Sequence, residues 1–105
     1  MTDPTTALRI LLHAPTAEAL TRARGNAVNL AKDAPLAVVR IVVNGEAVAA
    51  LLDAPDAASD PITLVCPNTL RKIGRSAPAP LAVLAVGAVQ ALATMQREGW
   101  CYVRA

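Results

Sequence analysis

Phenylalanine is absent from this 105-residue chain, and Trp100 and Tyr102 are its only large aromatic residues. A core must then be assembled from Ala, Val, Leu and Ile, which suit buried parallel strands and close-packed helices. No stretch approaches the ~20 consecutive apolar residues of a membrane span. The first residues carry Asp3 where a secretory leader would be basic. Charge of one sign is scarce too: ten Lys and Arg against eight Asp and Glu leave a formal net charge of +2. The basic residues are scattered without interleaved aromatics, which argues against a nucleic-acid partner. Two cysteines without a secretion signal point to free thiols in a reducing, cytoplasmic setting. One histidine and two separated cysteines do not make a closed metal site, so neither a metal nor a cofactor is expected. What the chain has in quantity is apolar residues, 54% of the total. On so short a chain that share favours homo-oligomerisation.

The length suits one domain over residues 1–105, because domains typically hold ~100–150 residues. Five short apolar runs alternate with helix-like stretches, the pattern of an α/β domain with a parallel sheet. The first strand, Ala7 to His13, stops at Pro15, with Thr16 placed to cap the next helix and Glu18 in its first turn. That helix repeats Leu20, Ala23, Ala27 and Leu30 at helical spacing. Gly25 in its middle costs roughly 1 kcal/mol relative to Ala, and close packing against a neighbour is the expected reason. Leu36 to Val43 reads as a strand covered on both faces; its Arg40 is expected at an edge or snorkelling to water. Asn44-Gly45 turns the chain into a helix over Glu46 to Asp53, and Ala54 to Pro61 is loop-like. The third strand is Ile62 to Cys66. Pro67 ends it, and Asn68 to Ile73 forms one or two helical turns closed by Gly74. A fourth strand is expected at Leu81 to Val86. Gly87 then opens a helix to Glu98, with Val89, Leu92 and Met95 or Gln96 on its apolar spacing, and Trp100 to Val103 is the last strand.

In an open parallel sheet the C-terminal strand ends share one rim, and ligands bind there. Here the rim gathers His13, Asn44-Gly45, Cys66 and Val86-Gly87. A receiver domain needs carboxylates where His13 and Cys66 stand. The turn after His13 has neither a P-loop nor a dinucleotide-binding glycine pattern, and Cys66-Pro67-Asn68-Thr69 lacks the second thiol of a CxxC site. Cys66 remains as the candidate for chemistry. A thiol at a helix start meets free backbone N–H groups and the positive end of the dipole, which favour the thiolate. Arg71 and Lys72 add positive potential about one turn further on. The alternative is a buried small hydrophobe, a role that free cysteine fills well. Cys101 is expected at the opposite end of the sheet, beyond the ~7 Å limit for a disulfide, as a packing residue. His13 reads as a strand-end residue bonded to nearby backbone rather than a general base. Trp100 and Tyr102 read as a packing cluster or subunit contact.

The segments LRILLHAPT, RGNAVNLAKD, VVRIVVNGEAVAALLD, VCPNTLRKIG and AVGAVQALATMQREGWCYVRA resemble the DsrE-type sulfur-relay proteins over nearly the whole chain. VCPNTL and the terminal QREGWCY are the most distinctive parts. The resemblance implies a three-layer α/β/α domain with a five-stranded parallel sheet, of flavodoxin-related architecture, assembled as homo-trimers or homo-hexamers. It implies persulfide sulfur carried on Cys66, in the loop after the third strand, and other sulfur-relay proteins as partners.

Two functions from different classes follow. In the first the protein is a sulfur carrier, sulfurtransferase-like, with the backbone N–H groups of Asn68 and Thr69 stabilising the Cys66 thiolate. In the second it is a non-catalytic oligomeric module that binds a small ligand or senses thiol oxidation through His13, Asn44 and Cys66, with Gly45 and Gly87 shaping the rim. A purely structural subunit with Cys66 inertly buried is the third possibility.

Overall fold

Alternation of side chains along the first strand, β1 (Arg9–Ala14), divides the molecule into two cores. Ile10, Leu12 and Ala14 join one apolar cluster, whereas Leu11 joins the other. His13 has the parity of Leu11 and therefore shares its side of the sheet. The computed structural model describes residues 7–105. After β1 come α1 (Ala17–Asp33), β2 (Val38–Val43), α2 (Glu46–Asp53), a 3-10 turn (Asp60–Ile62) and β3 (Thr63–Val65). The chain continues through α3 (Pro67–Ile73), β4 (Ala82–Val83), α4 (Ala88–Arg97) and β5 (Cys101–Arg104).

The five strands are all parallel, in the order β4-β3-β2-β1-β5. From β1 to β4 the chain steps across the sheet in one direction, and for β5 it returns past β1. Crossovers between parallel strands are right-handed, so reversing direction moves the connecting helix to the other face. Ala19, Leu20 and Ala23 of α1, Ala47, Val48 and Leu51 of α2 and Leu70 of α3 accordingly cover one face. Ala88 and Leu92 of α4 pack on the other, against Leu11, Val42 and Cys66. The result is a three-layer α/β/α fold. Ile41, Val42 and Val43 of the inner strand β2 are fully buried on both sides.

The local signals act as their chemistry requires. Thr16 Oγ1 accepts the Ala19 N–H at 3.1 Å and caps α1. Gly74, in the left-handed region at φ 67°, closes α3. The segment expected to be a plain loop is pinned from beneath: Asp60 is buried, and its carboxylate accepts from Arg24 of α1 at 3.4 Å and from the Asp56 N–H at 3.1 Å. The Ser59 hydroxyl, with Arg24 adding to it against the effect of burial, holds the Asp56 carboxyl below its ordinary range.

Five expectations are corrected. The fourth strand shrinks to Ala82–Val83, both exposed, because its only partner is the three-residue β3 and it stands at the sheet edge. Val89 is 74% exposed, since Ala88, Ala91 and Leu92 form the buried face of α4 and Val89 lies about 100° round from Ala88. Arg40 is not at an edge: β2 is interior, and the half-buried side chain sits near the strand's N-terminal end, its guanidinium on the Val39 carbonyl at 2.8 Å. Cys101 is exposed on the edge strand β5 rather than packed.

Gly25 is the fifth. A Cβ built there meets nothing within 4 Å, so no neighbour requires the glycine. Its backbone is helical and its position exposed. Gly25→Ala is therefore expected to stabilise the protein by about 0.5–1 kcal/mol, through the lower entropy of the unfolded chain. Thermal unfolding checks this, with a rise in Tm of roughly 3–6 °C for a domain of this size.

Candidate functional site

The β3 ladder runs one residue past the strand, because the Cys66 N–H donates to the Val43 carbonyl at 3.0 Å. This fixes the Cys66 backbone in an extended conformation, φ −67° and ψ 120°, as the residue before α3. Pro67 occupies the first helical position, where its missing N–H costs nothing. Cys66 has the parity of Leu64, so its side chain lies on the α4 side, in the cluster of Leu11, Val42, Ala88 and Leu92. Its exposure is 5%.

The first turn of α4 ends on this sulfur. The Ala88 N–H, one of the groups an α-helix leaves without an internal partner, donates to Cys66 Sγ at 3.4 Å. Gly87 makes the approach possible: a Cβ there would lie 2.6 Å from Nδ2 of Asn68. Thr69 contributes from the other side. Its hydroxyl oxygen accepts the Gly45 N–H at 3.2 Å, which leaves the hydroxyl proton for the Cys66 sulfur. Gly45 itself is held at φ 56° and ψ −139°, a region that only glycine enters without strain.

Burial is the largest single influence on the thiol and raises its pKa. The backbone N–H groups of Ala88, Thr69 and Asn68 and the Thr69 hydroxyl act the other way, by hydrogen-bonding the thiolate. Together they prevail, and the Cys66 pKa falls below the ordinary cysteine value.

Above the sulfur is an open pocket of about 450 Å³ walled by Asn44, Asn68, Gly87, Ala88, Val89 and Gln90. Of the rim residues named from the sequence, Asn44, Cys66, Asn68 and Gly87 line this space, while Gly45 and Thr69 stand behind it as a hydrogen-bonded pair. Arg71 donates to Asn68 Oδ1, and both Arg71 and Lys72 are exposed, outside the pocket lining. His13 is not in the wall. Its Nε2 lies 2.8 Å from Asn44 Oδ1 and its Nδ1 2.6 Å from the Tyr102 hydroxyl. Both ring nitrogens are engaged with side chains, not with backbone as expected, and neither is free to act as a base toward the thiol.

Two participants were missed. The Ala88 N–H carries no side-chain signature, and only the glycine before it hinted at a close approach. From the sequence, Tyr102 reads as a packing residue or a subunit contact. Its pairing with Leu11 in the parallel register puts it on the same side of the sheet as His13, but that parity exists only once β5 is known to lie beside β1.

Among the described residues no group of three or more His, Cys, Asp or Glu is placed to hold a metal ion. Among the same residues no helix is long and apolar enough to cross a membrane. No family model matches the chain, and no curated protein matches it either. Among solved structures, a protein of unknown function, MTH1491 from Methanobacterium thermoautotrophicum, is similar over 93% of this chain and 99% of its own. The TM-score is 0.67 and the sequence identity 23%, a likeness that carries the fold alone.

Replacing Thr69 by Val removes one hydrogen bond to the thiolate and none of the packing volume. The Cys66 pKa is expected to rise, because the thiolate loses that donor. Iodoacetamide alkylation of Cys66 at pH 7 should slow about three- to tenfold, read by mass spectrometry in a Cys101→Ser background.

Proposed function

We propose that this protein is a sulfur carrier, sulfurtransferase-like, that holds sulfane sulfur as a persulfide on Cys66. The observation that carries the reading is the Ala88 N–H directed at a sulfur on the floor of an open pocket. A lowered thiol pKa raises the thiolate share above that of an ordinary cysteine, and the thiolate is the nucleophile. The thiolate attacks the outer sulfur of a persulfide donor. A new S–S bond forms to Cys66, the donor's S–S bond breaks, and its electron pair leaves with the donor as a thiolate. Donor and carrier exchange one sulfur atom, with no net oxidation and no further reagent. The likeness of VCPNTL and QREGWCY to the DsrE-type proteins supports the same chemistry, with other sulfur-relay proteins as partners in the reducing cytoplasm.

The assembly belongs to the same proposal. Val83, Val86 and Val89 are exposed on the segment that leads into and begins α4, beside the pocket, and Leu8 and Val103 are exposed elsewhere. A second copy covering such residues gives a homo-oligomer, a trimer or hexamer by the family resemblance. Light scattering is expected to return a mass well above the 10.8 kDa of one chain; a monomer across a concentration series removes this part of the proposal.

One observation favours a second reading, a binding or thiol-sensing module that transfers no sulfur: Cys66 is 5% exposed, so a donor must enter the pocket to reach it. Intact mass after incubation with a small persulfide donor separates the two. Because Cys101 is an exposed thiol, the Cys101→Ser variant is the one to use. An adduct of about 32 Da that disappears in the additional Cys66→Ser variant is expected. No adduct, under conditions that load a control thiol protein, leaves the binding module in its place.

A further inference from the structure

Tyr102, His13 and Asn44 form a hydrogen-bonded chain along the α4 side of the sheet, from the edge strand β5 to the wall of the sulfur pocket. The distances are 2.6 Å from the Tyr102 hydroxyl to His13 Nδ1 and 2.8 Å from His13 Nε2 to Asn44 Oδ1. An amide oxygen only accepts, so Nε2 must carry a proton. In a neutral ring Nδ1 is then the acceptor, and the Tyr102 hydroxyl is the donor that satisfies it. With its oxygen held by His13, Asn44 has its NH2 end left for the pocket.

We infer that Tyr102 is a positioning residue for this pocket: it holds the His13 ring against the Asn44 oxygen and thereby keeps the NH2 end of the Asn44 amide toward the pocket, as a donor to the outer sulfur of the Cys66 persulfide. The inference rests on the sulfur-carrier reading and adds a recognition element to it. The opposite tautomer would need the opposite amide orientation and would turn the Asn44 oxygen toward the anionic sulfur. Among the described residues no acidic side chain lines the pocket, and its amide groups are those of Asn44, Asn68 and Gln90, all uncharged. The site thus suits an anionic sulfur that is solvated by amide donors rather than neutralised by a cation.

The chain has one histidine and one tyrosine, so both signals are unambiguous. Imidazole 15N shifts are measured at pH 8. Persulfide loading of Cys66 by the same small donor is followed in parallel, in the Cys101→Ser background. Nε2–H is expected in the otherwise unaltered protein. Tyr102→Phe should loosen the ring from its place against Asn44 and slow loading about three- to tenfold, as the loss of one neutral hydrogen bond implies. Asn44→Asp, which puts a carboxylate against the anion, should slow loading more than tenfold. Circular dichroism confirms that each variant is folded. A ring protonated at Nδ1 overturns the inference without any variant, as does Tyr102→Phe loading at the unaltered rate. If the protein without these substitutions takes no adduct, the sulfur-carrier reading falls, and the role given to Asn44 falls with it. An adduct that forms at the unaltered rate in both variants overturns the inference and leaves the sulfur-carrier reading standing.

Discussion

The first turns of α3 and α4 meet at one sulfur atom, and they do so because Gly87 has no side chain. A single added carbon would stand 2.6 Å from the Asn68 amide nitrogen and push the Asn68 side chain out of its place in the pocket wall. That side chain is exposed and bonded through its oxygen to Arg71, so moving it breaks this bond. The approach places the Ala88 N–H on Cys66 from one side, while Thr69, steadied by the Gly45 N–H, reaches it from the other. Gly45 holds a conformation closed to other residues, and its backbone passes so near Pro15 that a Cβ would lie 3.2 Å from that carbonyl. Two glycines on different strand ends therefore fix the geometry of one thiol.

The thiol is a contest between burial and hydrogen bonding, and the magnitudes decide it. Desolvation of a buried group can move a pKa by several units, but Cys66 stands at the floor of an open pocket rather than in the deep core. Its penalty is met by three backbone N–H groups and a hydroxyl, each a modest contribution, which together tip the balance toward the thiolate. The apolar packing of Leu11, Val42 and Leu92 beneath it limits the directions from which a reagent can come. Access is through the pocket, and the pocket selects.

Much of this was legible in the sequence, for stated reasons. Pro15, Pro67 and Gly74 punctuate elements through backbone chemistry that needs no tertiary context. The alternating pattern implied parallel strands, and parallel strands imply a common rim, which is why His13, Asn44, Cys66 and Gly87 could be named together. What escaped depended on strand order and helix rotation. Val89 looks like a core residue at helical spacing until Ala88 and Leu92 are seen to set the buried face. Cys101 and Val83 look like sheet interior until β5 and β4 prove to be the two edges. Tyr102 needed the β1–β5 register, and Gly25 needed the empty space beside it. The solved structure of MTH1491 extends the fold to a second chain without adding to the chemistry.

The chemistry of this rim depends on Cys66 being a thiol whose ionisation is favoured by its surroundings. The pH dependence of its alkylation rate, followed by mass in the Cys101→Ser protein from pH 5 to 10, tests this directly. A thiol with a lowered pKa reaches half its limiting rate at a pH below the ~8.5 of free cysteine. A midpoint at or above that value would mean that burial outweighs the donors, and Cys66 would then be a packing residue on the rim of a parallel sheet.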